Sequence, residues 1–162
     1  MKSKRIYLSL GSNLGDRLRN LRASMELIKN QVGSPVEVSG IYESPSWGYT
    51  SEYLFYNCCL SVDSELEPLP MMDLILSIER ALGRERVNKG YTDRLVDIDL
   101  LFFGDEVIDQ PRLKIPHPAL AERRFVLVPL MEIAPDLVHP VSGFTVKQML
   151  DRCRDPGSVR PI

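Results

Sequence analysis

The sequence predicts an α+β fold, in which a β-α-β-β-α-β order of elements builds an antiparallel sheet with two helices on one face. Three observations predict it. Two stretches carry apolar residues at alternating spacings of three and four, the buried stripe of a helix: Leu14, Leu18, Leu21, Met25, Ile28 and Val32, then Met71, Leu74, Ile75, Ile78 and Leu82. Short runs rich in β-branched and aromatic residues flank these stripes. Clusters of turn formers separate the runs, and there are no internal repeats or low-complexity segments.

Residues 5–10 (RIYLSL) form the first predicted strand, which stops at the turn formers of GSNLG, residues 11–15. The first helical stripe follows. Residues 36–42 (VEVSGIY) alternate as a strand, and residues 53–62 (YLFYNCCLSV) make another. Between them SPSWGYTSE, residues 44–52, reads as a long loop carrying Trp47, whose ring either packs inward or meets a ligand. The second helix opens at Pro68 and Pro70 and stops at Gly83. Residues 94–103 (RLVDIDLLFF) are the last core strand. Beyond it, residues 113–120 (LKIPHPAL) and 124–140 (RFVLVPLMEIAPDLVHP) are apolar but broken by prolines, so only short elements are expected there. Residues 145–153 are expected to close the chain with a helix. The order is the ferredoxin-like arrangement, and the additional C-terminal elements are expected to cover the other face or an edge of the sheet.

A chain of 162 residues with 44% apolar content is enough for one domain, 1–162, with a real core and one active site. A net charge of −2, from 20 basic and 22 acidic residues, argues against the broad basic field of a nucleic-acid binder. Any anion must therefore be gripped locally. No run approaches the roughly 18 apolar residues of a membrane span. The N-terminal MKSKRIYLSL lacks a full signal-peptide core and cleavage site. A cytoplasmic monomer that contacts neither nucleic acid nor membrane is expected. Cys58, Cys59 and Cys153, odd in number and without C-x-x-C spacing, read as small buried hydrophobes.

The strand at 94–103 places Asp97 and Asp99 where apolar side chains belong. Residues two apart on a strand share a face at a spacing of about 7 Å. Two carboxylates so placed oppose each other's ionisation unless a cation lies between them or one takes a proton. A structural ion pair accounts for one acid. Two on one face beside a cationic loop read as a clamp for Mg2+, which keeps waters and takes further ligands from phosphate. By simple alternation Val96, Ile98, Leu100 and Phe102 form the opposite, apolar face, and the aspartate face continues through Leu101 and Phe103. The preceding loop carries Arg84, Arg86, Lys89 and Arg94 against Glu85 and Asp93. It is either a solvated basic loop or a phosphate grip. The paired acids favour the grip, since phosphoryl transfer sets a metal and guanidiniums around one polyphosphate. GSNLG is not a Walker A loop, because no Gly-Lys-Ser/Thr follows. His117, between two prolines, is either structural or held for a phosphate contact, whereas His139 reads as structural.

Taken in order, GSNLGD, YESPSWG, YNCCL, IERALGR, RLVDIDLLFFG, IPHPAL and RRFVLVPLMEIAPDLVHP closely resemble the 6-hydroxymethyl-7,8-dihydropterin pyrophosphokinases of folate biosynthesis. The most specific piece is R-x-x-D-x-D running into apolar residues. The resemblance implies transfer of the β,γ-diphosphate of ATP to the hydroxymethyl oxygen of the reduced pterin, with release of AMP. It implies that Asp97 and Asp99 hold two Mg2+ ions on the triphosphate. Arg84 and Arg94 become phosphate-gripping catalytic residues, joined at ATP by Lys89, Tyr91, His117 and Arg123. The pterin is expected at Asn57, at the backbone around Ser44, Pro45 and Trp47, and between the rings of Phe55 and Phe125. A flat heterocycle buries its faces against rings and its edge against an amide. Glu79 matches a family acid to which no role is attached. The chain departs from the family pattern at Tyr91, Thr92 and Asp93, where a tryptophan and then a small residue and proline are usual, and at Val87, where a lysine is. The loops at 44–52 and 83–94 are expected to act as lids. The competing reading is a non-catalytic ferredoxin-like module that senses a nucleotide, since one fold hosts both.

Overall fold

A computed structural model of the chain describes residues 2–83 and 91–162. Its elements are β1 (Lys4–Ser12), α1 (Arg17–Gln31), β2 (Pro35–Val38), β3 (Tyr42–Ser44), β4 (Phe55–Ser64), α2 (Pro68–Ala81), β5 (Asp97–Phe103), β6 (Ile108–Gln110), β7 (Leu113–Ile115), α3 (Arg124–Ile133), α4 (Val146–Arg152) and β8 (Arg160–Pro161). One antiparallel sheet runs β5-β1-β4-β3-β8, with β2 also paired to β4. A separate hairpin joins β6 and β7. Among the described residues no helix is long and apolar enough to cross a membrane.

Local chemistry sets the helix ends. The Asp16 carboxylate accepts the Arg19 N–H and caps α1, a contact worth about 1 kcal/mol. Prolines occupy the first turn of α2, where their missing N–H costs nothing. Both helices pack on one face of the sheet. There Leu21 and Ile28 of α1 and Met71, Ile75 and Ile78 of α2 meet Ile6, Leu8 and Leu10 of β1, Leu60 and Val62 of β4 and Leu100 of β5. The opposite face is covered by α3 and α4, through Val126, Leu127, Leu130, Val146 and Met149, over Tyr7, Cys59, Leu101 and Phe102.

The structure differs from the sequence-based expectation in four places. The strand expected at 36–42 is split into β2 and β3. Between them Ser39 turns its hydroxyl to accept the Cys59 N–H, and the Gly40 N–H is taken by Glu132 of α3. The proline-broken stretch after residue 124 still forms the ten-residue helix α3 with Pro129 inside it. Burial of Val126, Leu127 and Leu130 offsets the hydrogen bond that the proline removes. A register shift between Tyr7 and Leu8 pairs Tyr7 with Phe102 but Leu8 with Leu100, leaving Leu101 as the extra residue of a bulge. Phe102 therefore joins the α3 side and Phe103 the α1–α2 side, the reverse of simple alternation. Finally, Cys153 is only half-buried, while Cys58 and Cys59 are fully buried.

Candidate active site

The register of the three central strands builds the floor of the site. Gly11 of β1 lies between Asn57 of β4 and Asp97 of β5, and Ser9 lies between Cys59 and Asp99. The two aspartates thus share the sheet face that carries Asn57, at the end α3 leaves uncovered. Gly11 matters here because it lacks a side chain. A Cβ at that position would sit 3.2 Å from Asn57 Oδ1 and 3.6 Å from the Phe55 ring. The floor between amide, ring and carboxylates stays open.

Over this floor is a cavity of about 310 Å3. One wall is basic and acidic in pairs. Arg94 Nη1 lies 3.2 Å from Asp97 Oδ2, and Arg123 Nη1 lies 3.3 Å from Asp99 Oδ2. Arg123 is only 6% exposed, so water contributes little to solvating its charge. Its guanidinium lies 4.6 Å from the Trp47 ring centroid and 5.7 Å from those of Tyr91 and Phe125, which places it in an aromatic surround. Arg123 Nη2 also donates to the Tyr91 hydroxyl at 3.3 Å, and its Nε has no hydrogen-bond partner among the described residues. A buried cation with donors to spare is suited to an anion entering the cavity.

His117 stands beside this wall, its N–H bonded to the Leu101 carbonyl of β5 at 3.0 Å. Burial, and then the positive charge of Arg123, lower its pKa to about 4 against the opposing pull of Asp97. The ring is neutral at physiological pH. Its Nδ1 accepts the Ala119 N–H, which leaves the ring proton on Nε2 as a donor.

The other wall is aromatic with an amide between. Asn57 is buried, and its Nδ2 donates to the Ser44 hydroxyl at 2.7 Å. Phe55, Phe125, Pro45 and Trp47 line the same cavity. Trp47 turns inward, donating its Nε1–H to the Glu122 carbonyl and meeting Tyr91 edge-on. Every described candidate therefore lines one cavity, while Arg84 and Lys89 lie outside the described residues. Ser9, Gly11 and Tyr49 line it too; Gly11 opens the GSNLGD piece of the resemblance but had no role attached, and Ser9 and Tyr49 had no motif to mark them. The alternation of β1 is the nearest sequence signal for Ser9 and Gly11, because it puts them opposite an apolar face; Tyr49, in the loop between β3 and β4, has none.

Glu79 now has a place. It is 1% exposed on α2, and its Oε2 accepts the Ile98 N–H at 2.8 Å. β5 is an edge strand, so this N–H points away from β1, and Glu79 closes the open edge between the two aspartates.

The donor set suits a hard divalent cation. Among the described residues no group of three or more His, Cys, Asp or Glu side chains that could hold a metal ion is present. Two carboxylates on one face of β5 are what Mg2+ uses when phosphate and water complete its shell.

Fold and pocket together define an α+β domain whose sheet gives one face to its core and the end of the other to a charged, ring-walled cavity. Residues 7–135 match the family model of 7,8-dihydro-6-hydroxymethylpterin-pyrophosphokinase (HPPK), and the chain belongs to that family. It is 40% identical over 159 residues to the 2-amino-4-hydroxy-6-hydroxymethyldihydropteridine pyrophosphokinase of Methylorubrum extorquens, covering 98% of each chain. It is 41% identical over 138 residues to the protein of the same name from Porphyromonas gingivalis, covering 83% of this chain and 93% of that one. A crystal structure of Plasmodium falciparum HPPK-DHPS with pteroate shares the fold, with a TM-score of 0.78 at 16% identity over 93% of this chain and 44% of that one.

Proposed function

We propose that this chain transfers diphosphate from ATP to the hydroxymethyl group of 6-hydroxymethyl-7,8-dihydropterin, giving AMP and the pterin diphosphate ester, a step in tetrahydrofolate biosynthesis. The observation that carries the reading is the meeting, in one cavity of a pyrophosphokinase-family chain, of two strand carboxylates and an amide flanked by rings. In this reading the pterin ring lies between Phe55 and Phe125, its polar edge meets Asn57, and Ser44, Pro45 and Trp47 shape the rim. Arg94, Arg123 and the Nε2–H of His117 hold the phosphates, with Tyr91 beside them. Arg84 and Lys89 are the further phosphate contacts expected from the resemblance. The hydroxymethyl oxygen then attacks the β-phosphorus in line with the departing AMP. Asp97 and Asp99 would hold Mg2+, as two ions; when bound, the metal neutralises phosphate charge and lowers the pKa of the attacking alcohol.

The sheet order β5-β1-β4-β3, with β2 also on β4 and the short β8 added beyond β3, and both long helices on one face, support the ferredoxin-like reading of the fold. The length of 162 residues supports a single domain, 1–162, and the lack of a broad basic field supports small-molecule substrates over nucleic acid; the domain is read as a cytoplasmic monomer. Family membership weighs against the nucleotide-sensing module.

The test is product analysis. Purified protein given ATP, Mg2+ and the reduced pterin alcohol is expected to form AMP in step with pterin diphosphate, and to stop when the metal is chelated. Formation of ADP would indicate an ordinary kinase, and no turnover would return the sensing module.

A further inference from the structure

Donors from two separate loops converge on one oxygen of Asp93. Its Oδ1 accepts from Asn13 Nδ2 at 2.8 Å, from the Tyr49 hydroxyl at 2.9 Å and from the Ser51 hydroxyl at 2.5 Å. Asn13 is itself bound to the next residue, accepting the Arg94 N–H on its Oδ1 at 2.8 Å and donating its backbone N–H to the Arg94 carbonyl at 3.1 Å. Asn13 Nδ2 also reaches the Tyr53 carbonyl at 3.2 Å. The turn after β1, residues 45–53 and the approach to β5 are thus tied at one carboxylate.

The charge states suit a permanent tie. Burial alone would push the Asp93 carboxyl up, but hydrogen bonds from Ser51, Asn13 and Tyr49 hold it below the usual carboxylate range. Burial, and the bond to Asp93, push the Tyr49 phenol up to about 12, so it stays a donor. Close packing repeats the contact nearby. Gly48 has φ +81, and a Cβ there would come within 2.9 Å of the Tyr91 ring. The backbone of the loop lies directly against Tyr91 because no side chain intervenes.

We propose that Asp93 is a positioning residue that fastens the 45–53 loop to the segment leading into β5, so that the pterin wall is formed before substrate arrives. The inference rests on the pyrophosphokinase reading of the cavity. Losing the tie transfers the cost of ordering Trp47 and Tyr49 to substrate binding, which is a cost in affinity. The phosphate wall keeps its own anchors, since Asn13 still holds the Arg94 backbone.

The experiment compares Asp93→Ala, Asp93→Asn and Ser51→Ala with wild type. Steady-state kinetics are measured in both substrates, and amide hydrogen exchange in the ligand-free protein. Asp93→Ala is expected to raise KM for the pterin about ten-fold, with kcat and KM for ATP within about two-fold. Ser51→Ala should raise it about three-fold and add little in the Asp93→Ala background, because both remove one interaction. Asp93→Asn, which keeps an acceptor oxygen, should recover part of the loss. Exchange across residues 46–53 should quicken in Asp93→Ala. An unchanged pterin KM overturns the proposal, whether or not exchange quickens, and so does a fall in kcat with both KM values unmoved. If Asp93→Ala fails to fold, Ser51→Ala and Asp93→Asn carry the same test. Absence of AMP formation by wild type would instead sink the reading of the cavity, while the exchange measurement would still report on the tie.

Discussion

The two faces of the central sheet are made by the same three strands and have different fates. On the α1–α2 side, Ile6, Leu8, Leu10, Cys58, Leu60, Ile98 and Leu100 are all 3% exposed or less, and the face is core from end to end. On the other side, Tyr7, Cys59 and Leu101 are core, but one step along each strand come Ser9, Asn57 and Asp99. The difference lies in the cover. α1 and α2 have 15 and 14 residues, about 21 to 23 Å of helix, whereas α3 and α4 have 10 and 7, about 15 and 11 Å. A sheet end without a helix over it can carry charge, and here it carries the paired acids and the cavity.

The comparison can be broken most directly at the uncovered end. Asp97→Ala and Asp99→Ala are each expected to lower kcat/KM by about a thousand-fold, because they remove ligands, and Asp99→Ala is expected to lower thermal stability as well, because it takes the carboxylate away from the buried Arg123. Near-normal turnover of both at limiting Mg2+ would defeat the metal role. The mirror-image test is Leu60→Ala on the covered face. It should cost about 3 kcal/mol in urea unfolding, as a cavity left in close-packed core, with both KM values unmoved. A shifted KM would mean that the faces are not independent. Glu79→Ala sharpens the contrast, since Glu79 reaches from α2 to the edge of the strand that bears the acids. It leaves the Ile98 N–H without its acceptor, so a stability loss of about 1–2 kcal/mol should come together with reduced turnover. A loss of either one alone would argue against this bridging role.

The smallest effect is a pH dependence. The folded pKa of His117 is about 4 against an ordinary 6.5. Between those values the unfolded chain binds more protons than the folded one, so stability falls as pH falls through this window. Above 6.5 this group contributes no slope. Urea unfolding at about pH 7 and about pH 5 should show a smaller loss in His117→Asn than in wild type. Equal losses would mean that His117 is not held neutral.

Much of this was readable before the fold was known. The stripes of α1 and α2 follow from helical periodicity, and Asp97 and Asp99 stood out because carboxylates interrupt an apolar strand. Phe55, Asn57 and Phe125 were marked only by resemblance, since nothing local distinguishes them from core residues, whereas Trp47 stood out as an aromatic on a polar loop whose direction the sequence left open. Asp93 looked like a departure from a pattern, and its partners Asn13, Tyr49 and Ser51 lie 80, 44 and 42 residues away in sequence. The bulge at Leu101 was invisible as well. It exists to satisfy pairing with β1, and alternation within one strand carries no information about its neighbour's register.

The amino-acid sequence by itself determined the two long helices and the central strands, where the charges interrupt them, and that two acids share a face. Those are properties of one segment at a time, set by side-chain spacing and backbone geometry. Tertiary structure decided which neighbours each face acquires: that Gly11 opens a floor between Asn57 and Asp97, that Arg123 enters a ring of aromatics, that Phe102 and Phe103 exchange sides, and that Asp93 gathers donors from two loops. Cross-strand register and the length of the covering helices set these, and both are fixed only when the segments pack together.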